Sequence, residues 1–169
     1  MNSIRAATPA DIPAILDLIR ALATYERAPN AVKTTEADLL RDGFGEQPCF
    51  ECLIAENDEG HGQPAGFALY FYNYSTWRGR PGIHLEDLFV LPRFRGQGIG
   101  KALLARVAAR AAERGCPRLQ WDVLAWNQTA IDFYQSLGAQ FLDEWRIMRV
   151  ADEGIGALAA LAAASEQSR

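Results

Sequence analysis

The stretch Ile83–Gly100 reads Ile-His-Leu-Glu-Asp-Leu-Phe-Val-Leu-Pro-Arg-Phe-Arg-Gly-Gln-Gly-Ile-Gly, and it holds two kinds of chemistry. Glu86 and Asp87 interrupt a run that is apolar apart from His84, so they sit in a candidate strand. Adjacent strand side chains point to opposite faces, and with helices on both sides neither acid would reach bulk water. A carboxylate in such a place is expensive unless it is paired or used. Each acid alone is equally well explained as a structural group bonded to backbone or an arginine. Two together, just before a glycine loop, favour a site. Gly96, Gly98 and Gly100 then fall at every second position, and a helical pattern follows from Lys101. Strand, glycine loop and helix together cradle a phosphate: the backbone approaches closely, and the helix N-terminus offers unbonded N–H groups and partial positive charge. Arg93 and Arg95 add full charges. The loop is not a P-loop, since no Gly-Lys-Ser/Thr closes it, and its spacing and mid-chain position fit a dinucleotide fingerprint poorly. An ordinary glycine-rich turn is the plain alternative.

These groups need a scaffold, and the pattern supplies one. Asn2–Ala6 is a short edge-strand candidate. Thr8-Pro9-Ala10-Asp11 starts a helix whose Ile12, Ile15, Leu16, Ile19 and Leu22 form one apolar stripe, closed by Tyr25-Glu26. Thr35-Glu36-Ala37-Asp38 caps a shorter helix that stops near Gly43. Glu51–Glu56 and Ala65–Tyr74, joined by a turn at residues 57–62, predict an antiparallel hairpin, and Ile83–Leu91 the next strand. Leu103, Leu104, Val107, Ala108 and Ala111 mark a helix face that ends at Gly115. Arg118–Leu124 reads as a strand, Asn127–Leu137 as a helix and Phe141–Val150 as a last strand. The alanine-rich Ala151–Arg169 has little periodicity and reads as a loose helix or disorder. The order β-α-α-β-β-β-α-β-α-β implies an α/β (α+β) fold, a mixed sheet with helices on both faces. Residues 1–150 form one domain and 151–169 a tail, with parallel strands around the glycine loop.

At 169 residues and 49% hydrophobic, the chain can bury one sizeable core. A net charge of −4 and a pI near 5.2 argue against a nucleic-acid partner and suit a cationic substrate. No apolar stretch is long enough for a membrane span, and no signal-peptide pattern opens the sequence. Three cysteines without a disulfide framework point to a reducing, cytoplasmic setting. Cys49 and Cys52, at C-x-x-C spacing in a strand-like context without a histidine nearby, read as core thiols, and no metal site is expected.

Arg95-Gly96-Gln97-Gly98-Ile99-Gly100 resembles the Arg/Gln-x-x-Gly-x-Gly/Ala acetyl-CoA loop of the GNAT N-acetyltransferases, and the element order is theirs too. A second stretch, Asn127-Gln-Thr-Ala-Ile-Asp-Phe-Tyr-Gln-Ser-Leu-Gly-Ala, resembles their Asn-x-x-Ala-x-x-x-Tyr-x-x-x-Gly-Ala segment. Leu85–Val90, Trp126-Asn127, Asp42–Glu46 and Thr24-Tyr25-Glu26 narrow the resemblance to the diamine acetyltransferases, over roughly residues 4–150. The resemblance implies Glu86 as base toward the amine through water, and Tyr134 as acid to the CoA thiolate. It implies an acetyl-CoA site from Leu88, Phe89, Val90, Arg95, Gly96, Gln97, Gly98, Ile99, Gly100 and Lys101, with Asn127, Gln128, Thr129 and Ala130. It implies an amine site from Tyr25, Glu26, Glu86 and Asp87, with Trp77 and the strand residues Gln120, Trp121 and Asp122. It also implies a homodimer. Tyr74-Ser75-Thr76-Trp77 looks like the thialysine branch, because the spermidine branch carries an acid before its Pro-Trp. His84 stands where the family has a tyrosine.

The implied chemistry is direct acetyl transfer from acetyl-CoA to a small primary amine, such as thialysine, a lysine-like amino acid, a diamine or a polyamine. An alkylammonium has a pKa near 10.4, so freeing its lone pair at pH 7 costs about 4–5 kcal/mol. A carboxylate attracts that cation and then takes its proton. The competing expectations are a protein lysine or N-terminal acetyltransferase and a CoA-binding module without turnover.

Overall fold

The computed structural model describes residues 2–57 and 63–166. Five strands form one sheet in the order β1-β2-β3-β4-β5: β1 (Asn2–Ala6), β2 (Glu51–Asn57), β3 (Gln63–Ser75), β4 (Arg80–Val90) and β5 (Leu119–Gln120). The first four run antiparallel to their neighbours, and β5 lies parallel to β4. The sheet is therefore mixed, as the pattern predicts. The turn expected between β2 and β3 lies largely outside the described residues, but the two strands do pair as a hairpin.

The helix α1 (Ile12–Tyr25) follows a single 3-10 turn at Pro9–Asp11. Asp11 organises that start: the Thr8 backbone N–H and hydroxyl donate to it at 2.7 and 2.8 Å, and the Arg5 guanidinium donates two bonds at 2.7 and 2.8 Å. The Arg5 bonds, helped by Thr8, hold its carboxyl well below the usual carboxylate range. The helix α2 (Glu36–Phe44) begins with a true capping box between Thr35 and Asp38.

The two helices cover one face of the sheet. Ile12, Ile15, Leu16, Leu18 and Leu39 pack on Cys52, Ile54, Phe67, Leu69 and Phe89. The alternate strand residues Leu53, Ala55, Ala68, Tyr70 and Leu85 are buried on the other face. There α3 (Ile99–Glu113) buries Ile99, Leu103, Leu104, Val107 and Ala111. Truncating a side chain such as Ile15, which has no solvent exposure, should cost about 2–5 kcal/mol.

The described chain divides into two compact units, Met1–Asp122 and Val123–Arg169. The second holds α4 (Gln128–Ser136) and α5 (Glu153–Glu166). Two expected strands are corrected. The strand expected at residues 118–124 shrinks to the two residues of β5, because its pairing with β4 stops at Ile83 and His84. Residues 141–150 form no strand: Phe141, Leu142, Trp145, Ile147, Met148 and Val150 are all more than half exposed, and apolar content without a partner strand builds no ladder. Of the two readings of the tail, the helix holds over residues 153–166, where alanine's high helix propensity gives a helix without an amphipathic stripe. Of the two C-x-x-C thiols, Cys52 is buried in the core, but Cys49 is exposed at the surface.

Candidate active site

The two acids owe their placement to an irregularity in β4. Leu69 pairs with Asp87 and Tyr70 with Leu85, so Glu86 is an extra residue without a partner on β3. A bulge breaks the alternation of faces. Asp87 shares its face with Leu69, which belongs to the core under α1 and α2, while Leu85 shares the opposite face with Tyr70. Glu86, the residue after Leu85, turns to the same side as Asp87. The expectation that the acids point to opposite faces is thus corrected: the bulge sets them side by side.

Their environments differ. The Glu86 side chain is 56% exposed, whereas Asp87 is half-buried. Burial first, then the charge of Glu86, then that of Glu26, push the Asp87 carboxyl up to about 7. Glu26 is itself raised by loss of hydration. Glu26 caps the C-terminus of α1 in a Schellman turn: Ala28 N–H donates to Ala23 at 2.8 Å and Arg27 N–H to Thr24 at 3.2 Å, with Arg27 at φ 64° in place of the usual glycine. The carbonyl end of α1 adds partial negative charge beside three carboxylates. The arrangement attracts a cation and has somewhere to put its proton.

His84 joins the cluster. Its Nε2 lies 3.6 Å from a Glu86 carboxylate oxygen, and its ring stacks on Phe71 with centroids 5.0 Å apart. Only its closeness in sequence, two residues ahead of Glu86, marks it there.

At the far end of β4 the backbone takes over. Leu91 N–H donates to Ala65 at 2.9 Å, so alternate residues aim their backbone groups the other way, toward the outer edge. Leu88 and Val90 are those residues, and the hydrogen-bonding groups of Phe89 face β3. Ile83 N–H reaches Arg118 at 3.1 Å, but beyond His84 no strand pairs with this edge among the described residues. Arg95 folds back on it: Nε donates to the Val90 carbonyl at 3.0 Å, and the guanidinium lies 4.4 Å over the Tyr25 ring and 5.5 Å from that of Phe89. It ties the end of α1 to β4.

The loop that follows needs its glycines for conformation. Gly96 and Gly98 have φ of 76° and 78°, and a Cβ on either would meet nothing within 4 Å. Gly98 caps α3, which begins at Ile99, two residues earlier than the apolar pattern suggests. Gln97 is anchored by the buried Asn57, whose amide donates to it at 3.3 Å. Ile99, Gly100 and Lys101 open the first turn of α3, where backbone N–H groups lack helical acceptors. Positive-φ glycines, a helix N-terminus and an unpaired strand edge fit an extended ligand with an anionic end.

Gln120 pairs with His84 in β5, with Trp121 and Asp122 just beyond. Trp77, by contrast, stands 88% exposed in the β3–β4 turn. From Arg80 at the foot of that turn to Glu86 is six strand residues, about 20 Å, so this chain does not bring Trp77 to the acid cluster. Ser75, the last residue of β3, closes the same turn, its carbonyl accepting from the backbone N–H of Arg78 and Gly79. In the second unit, the Asn127 side chain caps α4 by accepting from Ala130 N–H at 3.2 Å, and Gln128 donates to Asp132 at 2.6 Å. Thr129 is exposed in that first turn. Tyr134, half-buried, stacks obliquely on Phe133 at 5.2 Å.

Comparison with known proteins gives the chain a family. Residues 14–139 match the model of the acetyltransferase (GNAT) family. The chain is 45% identical to a thialysine N-epsilon-acetyltransferase of Bos taurus, over 92% of this chain and 96% of that one. It is 41% identical to a human spermidine/spermine N(1)-acetyltransferase-like protein 1, over 86% of this chain and 22% of the longer protein. Among solved structures, an integron cassette protein from the mobile metagenome of V. cholerae superimposes with a TM-score of 0.78 at 27% identity, covering 94% of this chain and 97% of that one.

Proposed function

The chain belongs to the GNAT acetyltransferase family, and from that premise we propose that it transfers the acetyl group of acetyl-CoA directly to the primary amine of a small, thialysine- or lysine-like molecule. The observation that carries the reading is the carboxylate cluster on the bulge of β4, beside a strand edge and glycine loop suited to CoA. The similarity to thialysine acetyltransferases supports the acceptor class.

In this reading Glu26, Glu86 and Asp87 hold the ammonium group. Asp87, half-protonated near neutrality, keeps the net negative charge of the cluster moderate. Glu86, the most exposed of the β4 pair, takes the proton from the ammonium through a water molecule. The nitrogen lone pair then attacks the acetyl carbonyl carbon. The outward N–H groups of Leu88 and Val90 are the candidates to polarise the carbonyl oxygen. As the tetrahedral intermediate collapses, the C–S bond breaks, Tyr134 gives its phenolic proton to the thiolate, and the surplus proton on the substrate nitrogen passes through water to restore the tyrosine. Gly96–Lys101 backbone would hold the pyrophosphate, and Asn127, Gln128, Thr129 and Ala130 the CoA arm. The reaction needs no metal and no covalent enzyme intermediate.

The test is a thiol-release assay with acetyl-CoA against thialysine, lysine, putrescine, spermidine, spermine and a lysine peptide. Preference for thialysine or another short amine supports the reading. Turnover of the peptide alone would replace it with a protein acceptor, and tight acetyl-CoA binding without turnover would replace it with a binding module. Tyr134→Phe should lower kcat with little change in acetyl-CoA affinity. A homodimer is proposed as well, supported by the exposed apolar side chains Trp145, Ile147 and Met148; light scattering showing a monomer at micromolar concentration would refute it. Among the described residues no helix is long and apolar enough to cross a membrane. The free thiols Cys49, Cys52 and Cys116 support a cytoplasmic setting as part of this proposal.

A further inference from the structure

We infer that His84 is a positioning residue for Glu86, a role that rests on the reading of Glu86 as the base. Glu86 sits at the bulge, without a partner on β3, and its side chain is 56% exposed. Such a carboxylate has several rotamers open to it, and fixing one costs side-chain entropy. Asp87, beside it on β4, repels it when ionised, and Glu26 at the end of α1 adds its charge to the same cluster. Among the described residues its one ion-pairing neighbour is His84, with Nε2 at 3.6 Å.

His84 is as fixed as Glu86 is free. Its side chain is 17% exposed, its ring stacks on Phe71 at 5.0 Å and 29°, and its backbone is registered against Phe71 of β3 and Gln120 of β5. Neither Phe71 nor Gln120 titrates; the charged group beside the imidazole is Glu86, with Asp87 and Glu26 in the same acid cluster and Arg118 and Asp122 flanking Gln120 on β5. A small movement of the Glu86 side chain closes 3.6 Å to a hydrogen bond, and the imidazole N–H then aims the carboxylate. When protonated, the imidazolium also opposes the repulsion from Asp87 and Glu26.

The experiment compares kcat, KM and the pH profile of kcat/KM for wild type, H84F, H84Q, E86Q and the double variant H84F/E86Q, with the best amine of the panel. H84F keeps a ring on Phe71 but loses the N–H, and kcat should fall about tenfold with a smaller change in amine KM. H84Q keeps a donor and should recover most of that loss. Both variants lack the cationic form, so the acidic limb of the profile should move to higher pH in each. In the E86Q background, H84F should have little further effect. Wild-type kcat and an unmoved acidic limb in H84F and H84Q would overturn the inference. So would equal losses in the two variants with an unmoved limb, since packing alone explains those. If H84F does not fold, as judged by circular dichroism, H84Q decides by the same limb shift. If E86Q turns over like wild type, the reading of Glu86 fails, and the inference with it. If E86Q is slow while the His84 variants are not, the inference alone fails.

Discussion

The two ends of β4 present different chemistry by different means. At Glu86–Asp87 the strand bulges, and what it presents is side-chain charge in a partly dehydrated setting. At Leu88–Val90 and the loop beyond, it presents backbone: an unpaired edge, two glycines at positive φ and the start of α3. Charge density suits a small cation whose proton must be removed. Ordered N–H groups suit a long, polar co-substrate that must be held along its length. One strand can serve both because a bulge and a glycine loop each interrupt regular pairing, and each frees a different kind of polar group.

Substitutions at the two ends should therefore separate in kinetics. The largest effect belongs to the charged end: Glu86→Gln should lower kcat by about a hundredfold or more, with acetyl-CoA KM nearly unchanged. Equal losses in both parameters would dissolve the distinction. Next comes the backbone end. Gly98→Val places a β-branched residue at φ 78°, where strain of about 1–3 kcal/mol is expected, although no atom blocks its Cβ. Calorimetry should show about tenfold weaker acetyl-CoA binding, while amine KM stays near wild type.

Asp87→Asn probes the charged end through stability. The folded state raises the Asp87 carboxyl to about 7, so between roughly pH 4 and 7 it keeps a proton that the unfolded chain releases. Stability is thus lost as pH rises through that window. The asparagine variant should melt higher than wild type at pH 8, with the gap closing toward pH 4. A gap independent of pH would mean that the acid is not perturbed by its site. The smallest effect is expected for Arg95→Ala, which removes the ring contacts and the bond to Val90 that join α1 to β4. It should cost about 1 kcal/mol in denaturant unfolding. A large rise in acetyl-CoA KM instead would show that this arginine serves the ligand more than the scaffold.

Much of this was legible in residue types alone. Helix starts at Thr8 and Thr35, the apolar stripe of α1, the glycine loop and the β2–β3 hairpin follow from short-range physics: capping groups, a 3.6-residue period and the glycine tolerance for positive φ. Each depends on neighbours a few positions away, and the sequence determines those. Legibility failed where the outcome rests on distant partners. Residues 141–150 are apolar enough for a strand, but a strand exists only if another offers its hydrogen-bonding edge, and the sheet described here ends at β5. The bulge at Glu86 arises from the register between β3 and β4, set over many pairs, so no local signal tells that the rule of alternating faces breaks there. The sequence by itself determined which groups could do chemistry: two acids, a histidine, an arginine and a glycine loop. Only the tertiary structure decided how they are used, because register and burial set which side chains share a face, which of two adjacent carboxyls gives up its hydration, and which strand edge stays unpaired.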